Sequence, residues 1–143
     1  MLREAEYAVA TRLADVAPAT QAVRATLPDW LADAERDAIE LALTEALTNI
    51  VQHGYGGGAD AQVRLRVLER PGALEIELTD EGRPIPPGLL EAADAATTFA
   101  FDPTDLAALP EGGMGLALIK SAFHEVRYAS HGGVNRLSLV RRI

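Results

Sequence analysis

Hydrophobic and polar positions recur with two different periods along this chain, and each change of period marks a new element. Tyr7, Val9, Thr11 and Leu13 alternate with smaller residues and predict a first strand. Asp15 is placed to cap a helix running through Val23 to Leu27, ended by Pro28-Asp29. A second helix starts near Asp33. It carries Ile39, Ala42, Leu43, Ala46, Leu47 and Ile50 at helical spacing and stops at Gly54, where a left-handed closing conformation is expected.

Period two then returns. Val63, Leu65 and Val67 face one way, with Arg64 and Arg66 facing the other. After the Arg70-Pro71-Gly72 turn, Leu74, Ile76 and Leu78 alternate with Glu75 and Glu77, so the arginines and glutamates should meet across the outer face of one hairpin. From Arg83 to Glu111 the pattern dissolves into an Ala-rich stretch punctuated by Pro84, Pro86, Pro87, Pro103 and Pro110, with one short helix expected at Leu89 to Ala93. A connection of this length inside a compact domain is usually functional or mobile. Leu116, Ile119, Lys120 and Phe123 predict a third helix, and two final strands, Val126 to Ser130 and Val134 to Val140, join across Gly132-Gly133. The layout is an alternating α/β one without repeats, and 143 residues suit a single domain.

Composition narrows the function. The balance of 13 basic against 21 acidic residues gives a net charge of −8, which disfavours nucleic acid and anionic membranes as partners. With no cysteine, the chain has neither a disulfide framework nor a thiolate site. The charged start Met1-Leu2-Arg3-Glu4 does not resemble a signal peptide and no apolar run is long enough to span a bilayer, so a cytoplasmic location is the expectation.

Three stretches carry candidate chemistry. On the second helix, Thr44, Glu45, Thr48, Asn49, Gln52 and His53 form a polar stripe almost free of Lys and Arg, whereas a solvated face usually mixes in long charged side chains. Asp80-Glu81-Gly82 closes a strand with an acid and by itself is only a turn signal. Gly112-Gly113-Met114-Gly115 opens the third helix, where free N–H groups and the positive dipole end favour phosphate. Gly115 inside a helix start costs about 1 kcal/mol relative to Ala, which suggests that backbone access is needed there. Other nucleotide motifs fail: Ile119 stands where a P-loop needs glycine, and Leu118 replaces the third glycine of the dinucleotide fingerprint. A second histidine for a zinc-protease helix is missing, and His124 and His131 read as structural.

In order, Glu-x-x-x-Asn on a helix, Asp-x-Gly after a strand and Gly-x-Gly before a helix resemble the three nucleotide-binding boxes of the GHKL ATPases, whose α/β sandwich is the Bergerat fold. Within that superfamily, TEALTNIVQHGY, GGMGLALIK and HEVRYASHGGVNRLSLVRR look like the anti-sigma-factor serine kinases, and the resemblance runs from Tyr7 to Arg142. It implies an α/β (α+β) two-layer sandwich: a mixed, mostly antiparallel sheet covered on one face by three helices. By the same resemblance, Asn49 would coordinate Mg²⁺ with the ATP phosphates, and Glu45 would orient or deprotonate the attacking hydroxyl. Asp80 would accept a hydrogen bond from the adenine amino group, Gly82 would let the backbone pass the base, and Ser138 would support Asp80 through water. Gly113 and Gly115 would lie along the phosphates, His53 would border them without a catalytic role, and Arg83 to Glu111 would be the ATP lid. Two departures stand out: Met114 replaces a common arginine, and Arg83-Pro84-Ile85-Pro86-Pro87 replaces a commoner apolar-aromatic sequence.

The implied function is an ATP- and Mg²⁺-dependent protein serine kinase in a partner-switching circuit. Such a protein binds a sigma factor or other effector and phosphorylates a small antagonist (anti-anti-sigma) protein on serine; relatives often pair as homodimers. A sensor histidine kinase would need an upstream phosphoacceptor helix pair, for which the stretch before Glu45 is short, and a clamp ATPase would need a transducer domain downstream. The alternative from another class is a nucleotide-dependent binding module that sequesters its partner without kinase activity.

Overall fold

A computed structural model describes residues 3–57, 60–86, 88–92 and 113–143. Most of the expected lid, with Pro87, Pro103, Pro110 and Gly112, therefore lies outside the described residues. The chain runs β1 (Arg3–Ala10), a short 3₁₀ turn (Leu13–Asp15), α1 (Val16–Ala25), α2 (Asp33–Asn49) with a terminal π turn (Ile50–Gly54), β2 (Gln62–Arg70), β3 (Ala73–Asp80), α3 (Leu89–Ala92), α4 (Gly113–Ala122), β4 (Glu125–His131) and β5 (Val134–Arg142). The five strands form one sheet in the order β1-β2-β3-β5-β4.

The sheet was expected to be mixed and mostly antiparallel; every pairing is antiparallel among the described residues. The two hairpins account for part of this, and β5 returns beside β3 in the opposite sense after the long crossover. Strand alternation decides which face is covered. Leu65, Ile76, Leu78 and Leu139 turn inward and meet Ile39, Leu43 and Leu47 of α2, all fully buried. Each such side chain contributes about 1.5–3 kcal/mol of hydrophobic stabilisation. The opposite face carries ion pairs. Arg66 stands opposite Glu77 in register, as expected, yet its Nε pairs with Glu4 of β1 at 2.7 Å, while Glu77 pairs with Arg136 of β5 at 3.5 Å. The charges thus spread across four strands, each pair contributing at most about 1 kcal/mol at this exposure.

Several element ends differ from the sequence reading. The first strand was expected to reach Leu13, but β1 ends at Ala10. Thr11 turns out of the ladder, its N–H and Oγ1 both donating to Ala61 O at 3.0 and 3.2 Å, and Leu13 is 52% exposed on the 3₁₀ turn. Asp15 precedes α1 without a side-chain cap, and α1 stops at Ala25, where Thr26 Oγ1 donates to Val23 O at 2.8 Å. Gly54 does not take the left-handed conformation expected of it. Gly56 (φ 64°) and Gly57 (φ 81°), just beyond it, take that conformation instead, because α2 widens into a π turn before it closes.

The start of α2 is tied to the far end of the sheet. Glu35 Oε1 accepts from Ala32 N–H at 3.0 Å, and Oε2 accepts from Arg141 at 2.7 Å, while Arg141 also donates to Ala122 O at the end of α4. The Ala32 hydrogen bond first, and then Arg141, hold the Glu35 carboxyl below its ordinary value of 4.5. A depressed carboxylate contributes stability that is fully present above its unfolded value and lost as pH falls through the lower folded value. The difference in stability between wild type and Glu35→Gln, read by urea unfolding, should therefore be greatest near neutral pH and shrink as pH falls below about 4.5. A pH-independent difference would remove this role from the carboxylate.

Candidate nucleotide site

A cavity of about 670 Å³ opens between the C-terminal end of α2, the segment after β3, and α4. That volume suits a ligand of nucleotide size. Its apolar wall includes Ala46, Ile50, Leu116 and Leu137, and its polar groups include Asn49, Asp80, Arg83, Tyr55 and Tyr128.

The helical stripe is divided. Asn49, Gln52 and His53 line the cavity, whereas Thr44 Oγ1 is committed to its own helix, donating to Glu40 O at 2.9 Å. The π turn, a feature often found at functional sites, brings Gln52 and His53 round to the cavity. Glu45 lies outside the cavity lining but faces the start of α4. A Cβ built on Gly115 would stand 2.9 Å from Glu45 Oε2 and 3.5 Å from Asn49 Nδ2, so the glycine, the carboxylate and the carboxamide converge. Glu45 makes no hydrogen bond or ion pair among the described residues. Gly113 begins α4.

At the other end, β3 delivers Asp80, which is only 7% exposed. Its Oδ1 accepts from Gly82 N–H at 2.9 Å and from Asn135 Nδ2 at 3.0 Å, and Oδ2 has no partner among the described residues. The segment after it is clipped at alternate N–H groups. Glu81 N–H donates to the Tyr55 hydroxyl at 2.7 Å, Arg83 N–H to Gly54 O at 2.7 Å, and Ile85 N–H to the Tyr128 hydroxyl at 2.9 Å. Burial is the main cause that raises both tyrosine pKa values above the ordinary 10.0, so both phenols stay protonated at neutral pH.

One sequence expectation changes here. Ser138 pairs in register with Glu77 and points to the outer face of the sheet, away from Asp80, so it does not take the supporting place expected of it. Asn135, opposite Asp80 in the register, holds that place. The two positions are an odd number of residues apart, and an odd shift along a strand moves a side chain to the other face. Gly82 is constrained by protein before any base arrives: its Cβ would meet Gly54 O at 2.6 Å and Tyr55 at 2.9 Å. Gly82→Ala must separate the α2 turn from the β3 end, and overpacking of this kind costs about 1–3 kcal/mol. Thermal unfolding should register the loss, together with weaker ligand binding; a wild-type melting temperature would show that the turn yields freely.

Asn135, Tyr55 and Tyr128 escaped the sequence reading. The signal for Asn135 was its parity with Leu137 and Leu139, an amide standing in an inward apolar stripe. Nothing local announced the two tyrosines, whose partners lie on other elements.

A profile of the histidine kinase-like ATPase domain matches residues 9–141, nearly the whole chain. The chain belongs to that family. As a histidine kinase-like ATPase domain it uses ATP, and its antiparallel sheet under three helices is the Bergerat arrangement. It is similar to the serine-protein kinase RsbW of Bacillus pumilus, with 34% identity over 102 residues, and to that of Bacillus subtilis, with 32% over 111 residues. Each match takes in 70% of this chain and 61% of the relative, so the chain spans less than two thirds of the curated relatives it matches. The crystal structure of the RsbU and RsbW domains of a Mycobacterium tuberculosis protein superposes with a TM-score of 0.59 at 18% identity. It covers 98% of this chain and 32% of that one, and shows the fold alone. Among the described residues, no helix of this ATPase domain is long and apolar enough to cross a membrane.

Proposed function

We propose that residues 1–143 form one ATP-binding kinase domain that transfers the γ-phosphoryl group of ATP to a serine of a small antagonist protein, works in the cytoplasm and binds a sigma factor or equivalent effector. The observation that carries this reading is the convergence of Glu45 and Asn49 on Gly115 at one end of a cavity whose other end holds Asp80 with one oxygen unpartnered among the described residues. The names of the Bacillus relatives, serine-protein kinases, support the same choice.

The residues present fit Mg²⁺ as a phosphate-borne ion. No cluster of three or more His, Asp or Glu side chains is available to hold a metal among the described residues, and Asn49 offers one neutral oxygen. Mg²⁺ characteristically takes one or two protein ligands and completes its shell with phosphate and water. Bound in this way, it would neutralise charge on the phosphates. The protein's own residues do the rest. The Asp80 Oδ2 accepts from the exocyclic amine of adenine, the apolar wall takes the ring, and Gly113 and Gly115 bring the start of α4 to the phosphates. Arg83 supplies a positive charge at the rim. Arg83 to Glu111 acts as the lid. Glu45 accepts the proton of the serine hydroxyl as its oxygen bonds to the γ-phosphorus and the bond to the bridging oxygen of the departing ADP breaks. Phosphoryl transfer needs mainly positioning and charge neutralisation, which this small set can provide.

The test is incubation of the chain with labelled ATP, Mg²⁺ and an antagonist protein. Label on an antagonist serine is the expected result. A tight, nucleotide-dependent complex without label would identify a sequestering module instead.

A further inference from the structure

The backbone from Glu81 to Pro86 belongs to no strand, yet each of its N–H groups has a partner. Glu81 and Ile85 donate to the hydroxyls of Tyr55 and Tyr128, Gly82 donates to Asp80 Oδ1, and Arg83 donates to Gly54 O. Pro84 and Pro86 have no N–H to satisfy. Each proline also restricts the residue before it, Arg83 or Ile85, to extended conformations.

This segment is a wall of the cavity, which Arg83, Pro84, Ile85 and Pro86 all line. The two phenols reach it from different elements, Tyr55 from the end of the π turn and Tyr128 from β4, and grip it at both ends. The prolines stiffen the segment, and the hydroxyls decide where it stands. We infer that Tyr55 and Tyr128 are positioning residues whose hydroxyls hold this wall in its nucleotide-accepting form before the nucleotide arrives. This rests on the reading of the cavity as an ATP site.

Preorganisation and direct contact leave different kinetic traces. When the wall is in place for only part of the time, the nucleotide meets fewer competent molecules and association slows in proportion. A nucleotide already bound holds the wall itself and leaves at the old rate. The loss of a contact to the nucleotide would instead speed dissociation.

The experiment uses Tyr55→Phe, Tyr128→Phe and the double variant, which keep both rings and remove only the hydroxyls, with folding checked by thermal melts. Amide hydrogen exchange without nucleotide reads the wall itself. Arg83 N–H should exchange at least about tenfold faster in the double variant, although its own partner, Gly54 O, is untouched. Stopped-flow binding of a ribose-labelled fluorescent ATP with Mg²⁺ reads the consequence. Association should slow about three- to tenfold in each single variant, the scale of one hydrogen bond, with dissociation within about twofold of wild type. Either phenol alone still holds its end of the wall, so the double variant should lose more than the product of the two. Folded variants that associate at the wild-type rate, or that weaken only through faster dissociation, overturn the inference. Should the double variant fail to fold, the single variants decide by the same split of rates. A wild type that binds no ATP overturns the site reading as well, whereas a wild type that binds beside unaltered variants overturns the role of the phenols alone.

Discussion

Asn49→Ala should abolish Mg²⁺-dependent ATP binding while leaving the fold intact. Asn49 ends α2 half-buried, with its carboxamide beside Gly115 and no side-chain hydrogen bond among the described residues. Truncation therefore strands no buried partner, and alanine is the better helix former. What disappears is the carboxamide oxygen proposed above as the ligand of a phosphate-bound ion. Even residues that only support a metal ligand cost about 10- to 100-fold in affinity or activity when removed, so losing the ligand itself should cost at least that. Calorimetry with and without Mg²⁺ checks it: the variant should show no gain from the ion. A wild-type response would remove Asn49 from the site.

Glu45→Gln separates chemistry from binding. Glutamine keeps the length and packing of the side chain against Gly115, and Glu45 lies outside the cavity lining, so ATP affinity and partner binding should be retained. A glutamine amide cannot take the proton of a serine hydroxyl. Transfer to the antagonist should fall by roughly 10²-fold or more, the usual scale for a positioned acid–base group. Transfer at the wild-type rate would refute the role of Glu45, and a parallel loss of binding would mean that the carboxylate shapes the phosphate end.

The strongly periodic parts of the fold were legible in the sequence. The spacing of Ile39, Leu43 and Leu47 marked α2, and the alternation in β2, β3 and β5 marked the covered face, because burial writes these periods into the chain directly. The start of β1 was not legible, since Glu4 and Glu6 look like a charged terminus until Arg66 is seen opposite them. The π turn has no residue signature, and its consequence, the displacement of the left-handed position from Gly54 to Gly56, followed it out of view. Asp80 and Asn49 stood out by residue type and spacing. The partner of Asp80 did not, because the register of β5 against β3 is set by packing across a long crossover, and an odd offset exchanged inward Asn135 for outward Ser138.

On this reading ATP occupies the cavity between Asn49 and Asp80. An amide chemical-shift map, recorded while a non-hydrolysable ATP analogue with Mg²⁺ is titrated into the labelled chain, tests it most directly. Saturable shifts are expected at residues 49–56, at 80–85, around Gly115 and at Tyr128. Shifts that saturate on the outer face of the sheet, or around Arg24 and Arg36 at the far ends of α1 and α2, with those segments unmoved, would contradict it.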